Sequence, residues 1–486
     1  MTNKILINAV DVEECRIARV IENQLEEFHI ETTAKEITKS NIYRGVITSV
    51  EPSLQAVFVN YGTKRNGFLK KNEIHKDYFL DNKSEDKCIS SLVKKRQELL
   101  VQIITDPIMK KGALLTTLIS LTSHYLVLMT GSDKLGISRK IEDEKERARL
   151  KKIINSLKIA KGLGMIVRTT GINCTKTLLS KDIRNLMRMW KNIKAEGIKK
   201  KAPAILYKEN SLVLRCIRDS FINDVSEILI DDTNVFNETK AFVRLISPKH
   251  TKIVKLYKGQ KPIFTKYQLE QQITSIYESR VKLKSGGSIV ITPTEALVSI
   301  DVNSGKATQK NSVEQTAFQT NIEAAEEIVK QLRLRDLGGL IVIDFIDMKN
   351  QNNKTKVEKT IKQNLKKDKA KIKTGKITRF GLMEMSRQRL RPSIEFGSFI
   401  SCKHCHGKGL IPSTENMALS FLRKLRLETL KGEKNSVKCT LPADVSKYLL
   451  NKKRKEILEL EERQNILITI EPDKDMMPGE TKIIYN

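Results

Sequence analysis

Residues 296–305, ALVSIDVNSG, form an apolar run that ends in a carboxylate, an amide, a hydroxyl and a glycine. The design recurs 43 positions later, where the apolar run of GLIVIDFIDM (339–348) ends on Asp344 as the first ends on Asp301. A single acid at a strand end is weak evidence for a site, because turns favour Asp and Asn for local reasons. Two apolar runs that each end on an aspartate indicate a functional edge of a sheet.

The segment between the two runs reads as a helix. Ser312 and Gln315 form a capping-box pattern, and Leu337–Gly338–Gly339 ends the helix. Its apolar face is formed by Val313, Ala317, Ala324, Ile328 and Leu332. Strand, helix and strand make a βαβ unit, whose strands are expected to be parallel. Asp301 and Asp344 then meet at the edge where open α/β sheets bind ligands.

Two neighbouring carboxylates would repel each other, and one would take up a proton unless a cation joined them. Mg²⁺ suits the pair because it accepts one or two carboxylates, keeps several waters and activates phosphate and water. Asn303 lies on the same strand face as Asp301 and is placed to orient that water or the phosphate. Asp347, three residues after Asp344, is expected to face the other way. The alternative is two turn-capping acids with Lys or Arg partners.

The composition favours a soluble intracellular protein that binds nucleic acid. Its 486 residues leave room for about three domains of roughly 150 residues, without a membrane span or a secretory signal. The net charge is +31, from 88 Lys+Arg against 57 Asp+Glu, and such charge usually persists because the partner is a polyanion. A lysine-biased genome is the alternative. Seven mostly isolated cysteines fit a reducing compartment rather than a disulfide framework.

The first 120 residues are rich in strand and turn signals. Residues 1–35 read as a short strand, ILINAV, followed by acidic helix-like material. From residue 41, period-two alternation and glycine turns predict a closed or nearly closed OB-like barrel of about five strands. Phe58 and Phe68 lie among cations, as expected of a barrel that stacks bases and neutralises phosphates. The alternative places both in the core; Phe68 is the better surface candidate, and Phe58 is undecided.

Several motifs together resemble the RNase E/G family. They are SIDVNSGK, GGLIVIDFIDM and RFGLMEMSRQRLRPS, with NIYRGVITSVEPSLQAVFVNYG, RNGFL, GISRKIE, GLGMIVRT and YLLNKKRKEILELEER elsewhere. These motifs occur in the same order as in the family, from about residue 4 to 475, and they cover the catalytic half of the longer members. The scaffolding tail of bacterial RNase E has no counterpart, so no degradosome scaffold is expected.

The resemblance implies an α/β multidomain fold. It comprises an RNase H-like domain with an inserted OB-type barrel and 5′-sensor region, a DNase I-like α/β catalytic domain, a zinc link and a small C-terminal α/β domain. The expected boundaries are 1–35 and 213–280 for the RNase H-like parts, 36–120 for the barrel, 121–212 for the sensor region, 281–399 for the catalytic domain, 400–411 for the zinc link and 412–486 for the small domain.

The resemblance also implies a Mg²⁺-dependent endoribonuclease that acts in rRNA and mRNA processing and in decay. Such an enzyme cleaves single-stranded A/U-rich RNA by hydrolysis and leaves a 5′-phosphate and a 3′-hydroxyl. Asp301 and Asp344 match the Mg²⁺ ligands of the family, and the match at Asn303 completes the catalytic set. The residues expected to bind RNA are Phe58, Phe68, Lys111, Arg139 and Lys140.

The family senses a 5′-monophosphate through residues that match Arg168 and Thr169. A guanidinium fork grips a phosphate bidentately, and a hydroxyl or amide completes the contact. A third contact is an arginine in the family and Lys371 in this chain. Lysine keeps the charge but loses the fork, which predicts weaker sensing.

Cys402 and Cys405, in SCKHCHGKGL (401–410), have the spacing of half a zinc knuckle. Zinc takes four ligands, and the chain has no second such pair. His404 lies inside the loop and His406 directly follows Cys405, so neither easily completes a tetrahedron with both thiolates. Two chains can, and the family shares one Zn²⁺ between protomers. A zinc-bridged homodimer or homotetramer is therefore expected; the alternative is two metal-free surface thiols.

Two other functions stay open on the sequence alone. A non-catalytic RNA-binding or ribosome-associated protein would keep the barrel and lose an acid, whereas both acids are present. A scaffold for other nucleases needs the tail. The Lys, Ile and Asn bias is typical of an AT-rich genome, so the chloroplast stroma of an alga and the bacterial cytoplasm are both compatible locations.

Overall fold

The computed structural model describes residues 3–32, 38–80, 88–107, 112–157, 159–160, 162–219, 224–305, 313–389, 393–394, 399–430 and 436–485. The chain divides into two compact units, residues 1–394 and 395–486. Among the described residues, no helix is both long enough and apolar enough to cross a bilayer.

The first unit begins with three antiparallel strands, β1 (Asn3–Asn8), β2 (Glu14–Ile21) and β3 (Gln24–Thr32). The prediction of helical material after the first strand is wrong. Ile17, Ala18 and Val20 of β2 are buried in the sheet, and Glu22 and Asn23 form a two-residue turn with φ of 50° and 62°. Two positive φ angles are typical of the type I′ turn that joins twisted hairpin strands, so the hairpin outweighs the acidic composition.

The next strands close into a barrel, which confirms the prediction of an OB-like arrangement. They are β4 (Ile42–Glu51), β5 (Ala56–Asn60), β6 (Gly67–Lys70), β7 (Glu98–Thr105) and β8 (Leu114–Thr116), with the short helix α1 (Ile89–Leu92) between β6 and β7. The order is β4-β5-β6-β8-β7, and β7 pairs again with β4. Closure removes unpaired strand edges, and the interior is filled by residues such as Ile47, Val57 and Leu69.

A four-stranded sheet with two helices follows the barrel. Its elements are β9 (Ser120–Thr122), β10 (Leu126–Thr130), β11 (Leu135–Ile137), α2 (Glu144–Asn155), β12 (Leu163–Val167) and α3 (Lys176–Lys199). The sheet order is β11-β12-β10-β9. The chain then returns to the barrel, where β13 (Ala204–Tyr207) pairs with β4.

The chain next rejoins its first sheet. The elements are α4 (Leu212–Asp219), β14 (Glu227–Ile230), α5 (Thr233–Ile246), β15 (Val254–Leu256), α6 (Ile263–Lys266) and α7 (Glu270–Ser275). β14 is parallel to β1, which gives the order β15-β14-β1-β2-β3. Residues 3–32 and 227–256 thus share a sheet although the barrel lies between them in the chain. The RNase H-like identity of that domain stays a prediction.

The last sheet of this unit contains the predicted βαβ unit. Its elements are β16 (Arg280–Lys282), β17 (Ser288–Pro293), β18 (Leu297–Asn303), α8 (Val313–Leu334), β19 (Gly339–Asp344), α9 (Gln351–Leu365), β20 (Ile372–Thr374) and β21 (Leu382–Arg387). The order is β16-β17-β18-β19-β21-β20, and β18 and β19 are parallel as predicted. Ala324, Ile328 and Leu332 of α8 are buried, while the capping residue Ser312 lies outside the described residues.

The second unit is a small α/β domain, in agreement with the prediction. It contains α10 (Thr414–Thr429), β22 (Ser436–Pro442), α11 (Ala443–Lys452), α12 (Arg454–Gln464), β23 (Leu467–Asp473) and β24 (Lys482–Tyr485). β22 is the central strand, parallel to β23 and antiparallel to β24. Phe421, Leu425 and Leu441 are at the centre of its core.

Candidate active site

Asp301 and Asp344 lie side by side where β18 and β19 end. The parallel register places the two residues directly opposite each other, and neighbouring strands run about 4.8 Å apart. Both aspartates are exposed, whereas Ile300 and Ile343, which precede them, are buried. Strand alternation therefore anchors the apolar neighbours in the core and presents both carboxylates on one face.

The environment of Asp344 disfavours its negative charge. Partial burial raises the pKa of its carboxyl group, and the negative charges of Asp301 and Asp347 raise it further. Like charges held this close favour either a shared proton or a bound cation.

The prediction that Asp347 faces away from Asp344 is wrong. β19 ends at Asp344, so the alternation of a strand does not extend to Asp347. Both carboxylates approach Gly381: a Cβ atom added there would lie 3.1 Å from Oδ1 of Asp347 and 3.9 Å from Oδ1 of Asp344. Gly381 has φ of +79°, so its lack of a side chain serves both the turn and the space beside the acids.

Asn303 contacts the pair directly. Its Nδ2 donates a hydrogen bond of 2.6 Å to Oδ2 of Asp301, as the shared strand face predicts. This bond occupies one carboxylate oxygen, Oδ2, and holds the side chain in one orientation.

The arrangement of Asp301 and Asp344 suits a site for a hard divalent cation better than it suits two acids that only cap turns. In the part of the chain that the structure describes, neither Asp301 nor Asp344 forms an ion pair with Lys or Arg. The described residues also contain no group of three or more His, Cys, Asp or Glu side chains arranged around a metal position. Two carboxylates are sufficient for Mg²⁺, which takes its other ligands from water and phosphate oxygens.

Arg168 is held by a carboxylate that the sequence did not reveal. Its Nη1 donates to the carbonyl oxygen of Ser123 at 2.7 Å, and its Nη2 lies 2.6 Å from Oδ1 of Asp219. Arg218 also donates to Asp219, at 3.3 Å. Thr169 begins a short 3₁₀ turn directly after β12. Nothing in the sequence indicated that Asp219, at the end of α4, contacts Arg168, because the two residues are 51 positions apart.

Lys371 is exposed just before β20, and no hydrogen bond or ion pair joins it to Arg168 among the described residues. The loop before Lys371 does touch the sensor region: Nζ of Lys140 donates to the carbonyl oxygen of Asp368 at 2.9 Å. Lys366 and Glu142 form a second link at 3.4 Å. The structure therefore brings the two segments together without direct contact between the predicted phosphate ligands.

Phe58 and Phe68 form a pair on the outer face of the barrel. They are directly opposite each other on β5 and β6, with ring centroids 5.7 Å apart and planes tilted by 59°. Both are half-buried, and the buried neighbours Val57 and Leu69 point into the core instead. The core alternative is therefore wrong for both rings. Arg139 and Lys140 are exposed, and Lys111 lies outside the described residues.

Cys402 and Cys405, in the second unit, lie close to each other on a turn. The backbone N–H of Gly409 donates to Sγ of Cys405 at 3.3 Å. This bond and those from Gly407, Lys408 and the Cys402 thiol lower the pKa of the Cys405 thiol. Stabilised thiolate is the form of cysteine that binds metals.

Comparison with known proteins identifies the family. The model described as the ribonuclease E/G family matches residues 120–390, and that of the RNase E/G thioredoxin-like domain matches residues 401–485.

The relatives cover most of this chain. Ribonuclease E of Haemophilus influenzae is 44% identical over 476 residues, 97% of this chain and 51% of the relative. A putative ribonuclease E of Buchnera aphidicola subsp. Baizongia pistaciae is 44% identical over 391 residues, 80% of this chain and 95% of the relative. Ribonuclease G of Haemophilus influenzae is 36% identical over 452 residues, 92% of each chain. This chain spans about half the length of the ribonuclease E of Haemophilus influenzae, and it belongs to the ribonuclease E/G family.

Proposed function

We propose that this chain is a Mg²⁺-dependent endoribonuclease that cleaves single-stranded A/U-rich RNA in RNA processing and decay. The observation that carries the proposal is that Asp301 and Asp344 are exposed and directly opposite each other at the carboxyl ends of the parallel strands β18 and β19. Family membership supports the choice of RNA over other phosphodiesters. The direct test incubates the purified chain with a 5′-labelled A/U-rich RNA in Mg²⁺ or in EDTA; internal cleavage in Mg²⁺ alone is the expected result.

Asp301 and Asp344 would hold the Mg²⁺ ion, which, when bound, would polarise a phosphate oxygen and lower the pKa of a bound water. Asn303 orients the Asp301 carboxylate through their 2.6 Å hydrogen bond. Water adds to phosphorus and the bond from phosphorus to O3′ breaks. The downstream fragment keeps a 5′-phosphate, and O3′ takes a proton to become the 3′-hydroxyl.

The Phe58–Phe68 pair is the proposed platform for single-stranded RNA. Two adjacent aromatic rings on the outside of a barrel offer stacking faces to unpaired bases, and nearby cations neutralise phosphates. Bases in a duplex have no free faces, so this platform favours single strands.

We expect Phe68→Ala to weaken binding of a single-stranded A/U-rich RNA by about 1–3 kcal/mol, because one base loses its stacking partner. The measurement is fluorescence anisotropy in EDTA. Phe236→Ala is the matched control, since Phe236 on α5 is also half-buried. Equal losses of affinity in the two variants would assign the effect to general destabilisation.

A 5′-monophosphate should accelerate cleavage through Arg168, Thr169 and Lys371. Arg168→Lys keeps the charge beside Asp219 but removes the fork, so the preference for a 5′-monophosphate over a 5′-hydroxyl should fall. Lys371→Arg adds a fork and should increase that preference. Rates on the two RNAs are measured in parallel, with Lys359→Arg on the exposed face of α9 as the control. Preferences unchanged in both site variants would rule out this pocket.

Cys402 and Cys405 are the proposed half of a zinc site shared between two protomers of a homodimer or homotetramer. One chain supplies two thiolates and zinc takes four ligands, so zinc content should be about half an atom per chain. Cys402→Ser with Cys405→Ser should release the zinc and give smaller species, whereas Cys88→Ser, an exposed lone thiol, should change neither. Metal analysis and light scattering test this; one zinc per chain would mean that a histidine completes the site within the chain.

The relatives named above are bacterial, which favours the bacterial cytoplasm as the location. They offer no support for the chloroplast.

A further inference from the structure

Helix α3 has a row of cations on the side that faces away from its core. Its inner side is anchored by the buried residues Leu179, Ile183, Leu186 and Ile193. Lys181, Arg184, Arg188 and Lys191 are all exposed and are called the α3 basic stripe below. At about 100° per residue, the four fall within an arc of about 80°, nearly opposite the buried row. They span about 15 Å along the helix at about 1.5 Å per residue.

No carboxylate among the described residues pairs with the stripe. Within the described parts of the chain, none of its four residues forms an ion pair. Arg184 reaches only the carbonyl oxygen of Ser180, at 3.4 Å, and Arg188 reaches the Asn185 side chain, at 3.3 Å. Like charges three and four residues apart destabilise a helix by a few tenths of a kcal/mol per pair. A bound polyanion would reverse that repulsion.

The two acids of α3 point elsewhere. Asp182 accepts hydrogen bonds from the Ser123 hydroxyl and from the backbone N–H of Tyr125, and Glu196 pairs with Lys200 at 3.1 Å. Ser123 is also the residue whose carbonyl oxygen binds Arg168. At about 100° per residue, the stripe residues lie about 100° or more around the helix from Asp182 and the loop that it contacts, and no acid of α3 falls within the arc of the stripe.

The chemistry of the stripe selects a particular form of RNA. The aromatic residue of α3, Trp190, is half-buried against the core, with Nζ of Lys194 5.3 Å from its ring. The outer face thus offers cations without a ring on which a base could stack, in contrast to the Phe58–Phe68 pair. Such a surface contacts phosphates alone, which suits a double helix whose bases are hidden.

We infer that the α3 basic stripe binds the phosphate backbone of a double-helical RNA stem. This rests on the proposal that the substrate is RNA. The stripe is a different surface from the Arg168 loop, so a substrate with a stem gains a second anchorage that an unstructured RNA lacks. A membrane is a poorer fit because the stripe has no apolar side chains to insert.

The test compares a variant with all four stripe residues replaced, Lys181→Gln, Arg184→Gln, Arg188→Gln and Lys191→Gln, with a control of equal charge loss. The control carries Arg244→Gln, Lys249→Gln, Lys252→Gln and Lys258→Gln, all exposed positions in the same unit. The ligand is a blunt RNA duplex of about 16 base pairs with 5′-hydroxyl ends, a length that spans two successive minor grooves. Binding is measured in EDTA over a salt series.

The duplex Kd of the stripe variant should rise at least tenfold, and the slope of log K against log salt should shrink by about three to four, near 0.9 per lost contact. The control should shift less than threefold. Cleavage of an unstructured A/U-rich RNA should stay within twofold, whereas a substrate with a stem should show a higher KM at unchanged kcat. The melting temperature should not fall, because all four side chains are exposed and their loss removes repulsion between like charges.

Unchanged duplex affinity, or an equal loss in the control, would overturn the inference. So would a stripe variant that loses binding to phosphatidylglycerol vesicles but keeps duplex binding. If the chain cleaves no RNA and the stripe variant still loses duplex binding, the proposed function fails and the stripe inference stands. If the chain cleaves RNA normally and the stripe variant keeps its duplex affinity, the proposed function stands and the stripe inference fails.

Discussion

Asp301→Asn and Asp344→Asn should each lower the rate of RNA cleavage by about 10³-fold or more, while RNA binding stays within a few-fold. Each substitution removes a proposed ligand of the Mg²⁺ ion that would activate water and phosphate, and losses of that size are typical when such stabilisation of the transition state disappears. Binding should persist because the proposed contacts to bases and phosphates are made by the barrel and not by the carboxylates. Single-turnover kinetics in Mg²⁺ and anisotropy in EDTA give the two measurements.

The matched control is Glu295→Gln. Glu295 is an exposed acid just before β18, at the opposite end of the strand from Asp301, so it loses the same charge without touching the site. Asp347→Asn gives a graded comparison. Its carboxylate raises the pKa of Asp344, and an effect through charge alone should change the rate by less than tenfold. Near-normal turnover in either the Asp301 or the Asp344 variant would exclude the two-carboxylate centre. Absence of cleavage by the unsubstituted chain in Mg²⁺ would instead favour a non-catalytic RNA-binding protein.

Arg387→Leu should destabilise the first unit by about 3–5 kcal/mol, because it leaves a buried carboxylate without its counter-charge. Nε of Arg387 lies 2.8 Å from Oδ2 of Asp368, and each side chain is only 2% exposed. Nη1 of Arg387 also donates to the carbonyl oxygen of Leu337 at 2.5 Å. The Arg387–Asp368 pair connects the loop before Lys371 to β21. The Arg387→Leu variant should therefore unfold at a lower urea midpoint than the unsubstituted chain.

Two further variants separate the buried pair from ordinary surface charge. Lys366→Ala breaks the ion pair with Glu142, whose side chains are 69% and 77% exposed. Exposed pairs contribute about 0–1 kcal/mol, so this change should be small. Asp368→Leu combined with Arg387→Leu should cost much less than the sum of the two single changes, since neither Asp368 nor Arg387 is then left as an unpaired buried charge. Additive losses in the double variant would show that the two side chains do not act as a pair.

The sequence by itself predicted the parts of the fold whose signal is local. The β18–α8–β19 unit was predictable because a continuous apolar run, a 3.6-residue apolar period and a glycine stop each follow from neighbouring residues. The barrel was predictable because turn glycines and alternation recur at short intervals. The convergence of Asp301 and Asp344 then followed from the rule that such connections produce parallel neighbours.

Local signals failed where they conflicted with each other or ended. The acidic composition after β1 indicated helix, but the buried residues of β2 and the Glu22–Asn23 turn produce a hairpin. The alternation used for Asp347 did not apply, because β19 ends at Asp344. The position of Phe58 was undecided because alternation assigns residues to two faces without saying which face is the core.

Only the tertiary structure decided which distant residues meet. Asp219 reaches Arg168 across 51 residues, and Asp368 reaches Arg387 because β20 and β21 lie next to each other. Such ion pairs depend on how whole elements pack, and no periodicity in the sequence encodes the partner of a single charge. The sequence determined which strands end in carboxylates and which segments are strands or helices. The packing of those elements determined that the carboxylates of Asp301 and Asp344 face outward with no cationic partner among the described residues, whereas those of Asp219 and Asp368 are neutralised by arginine.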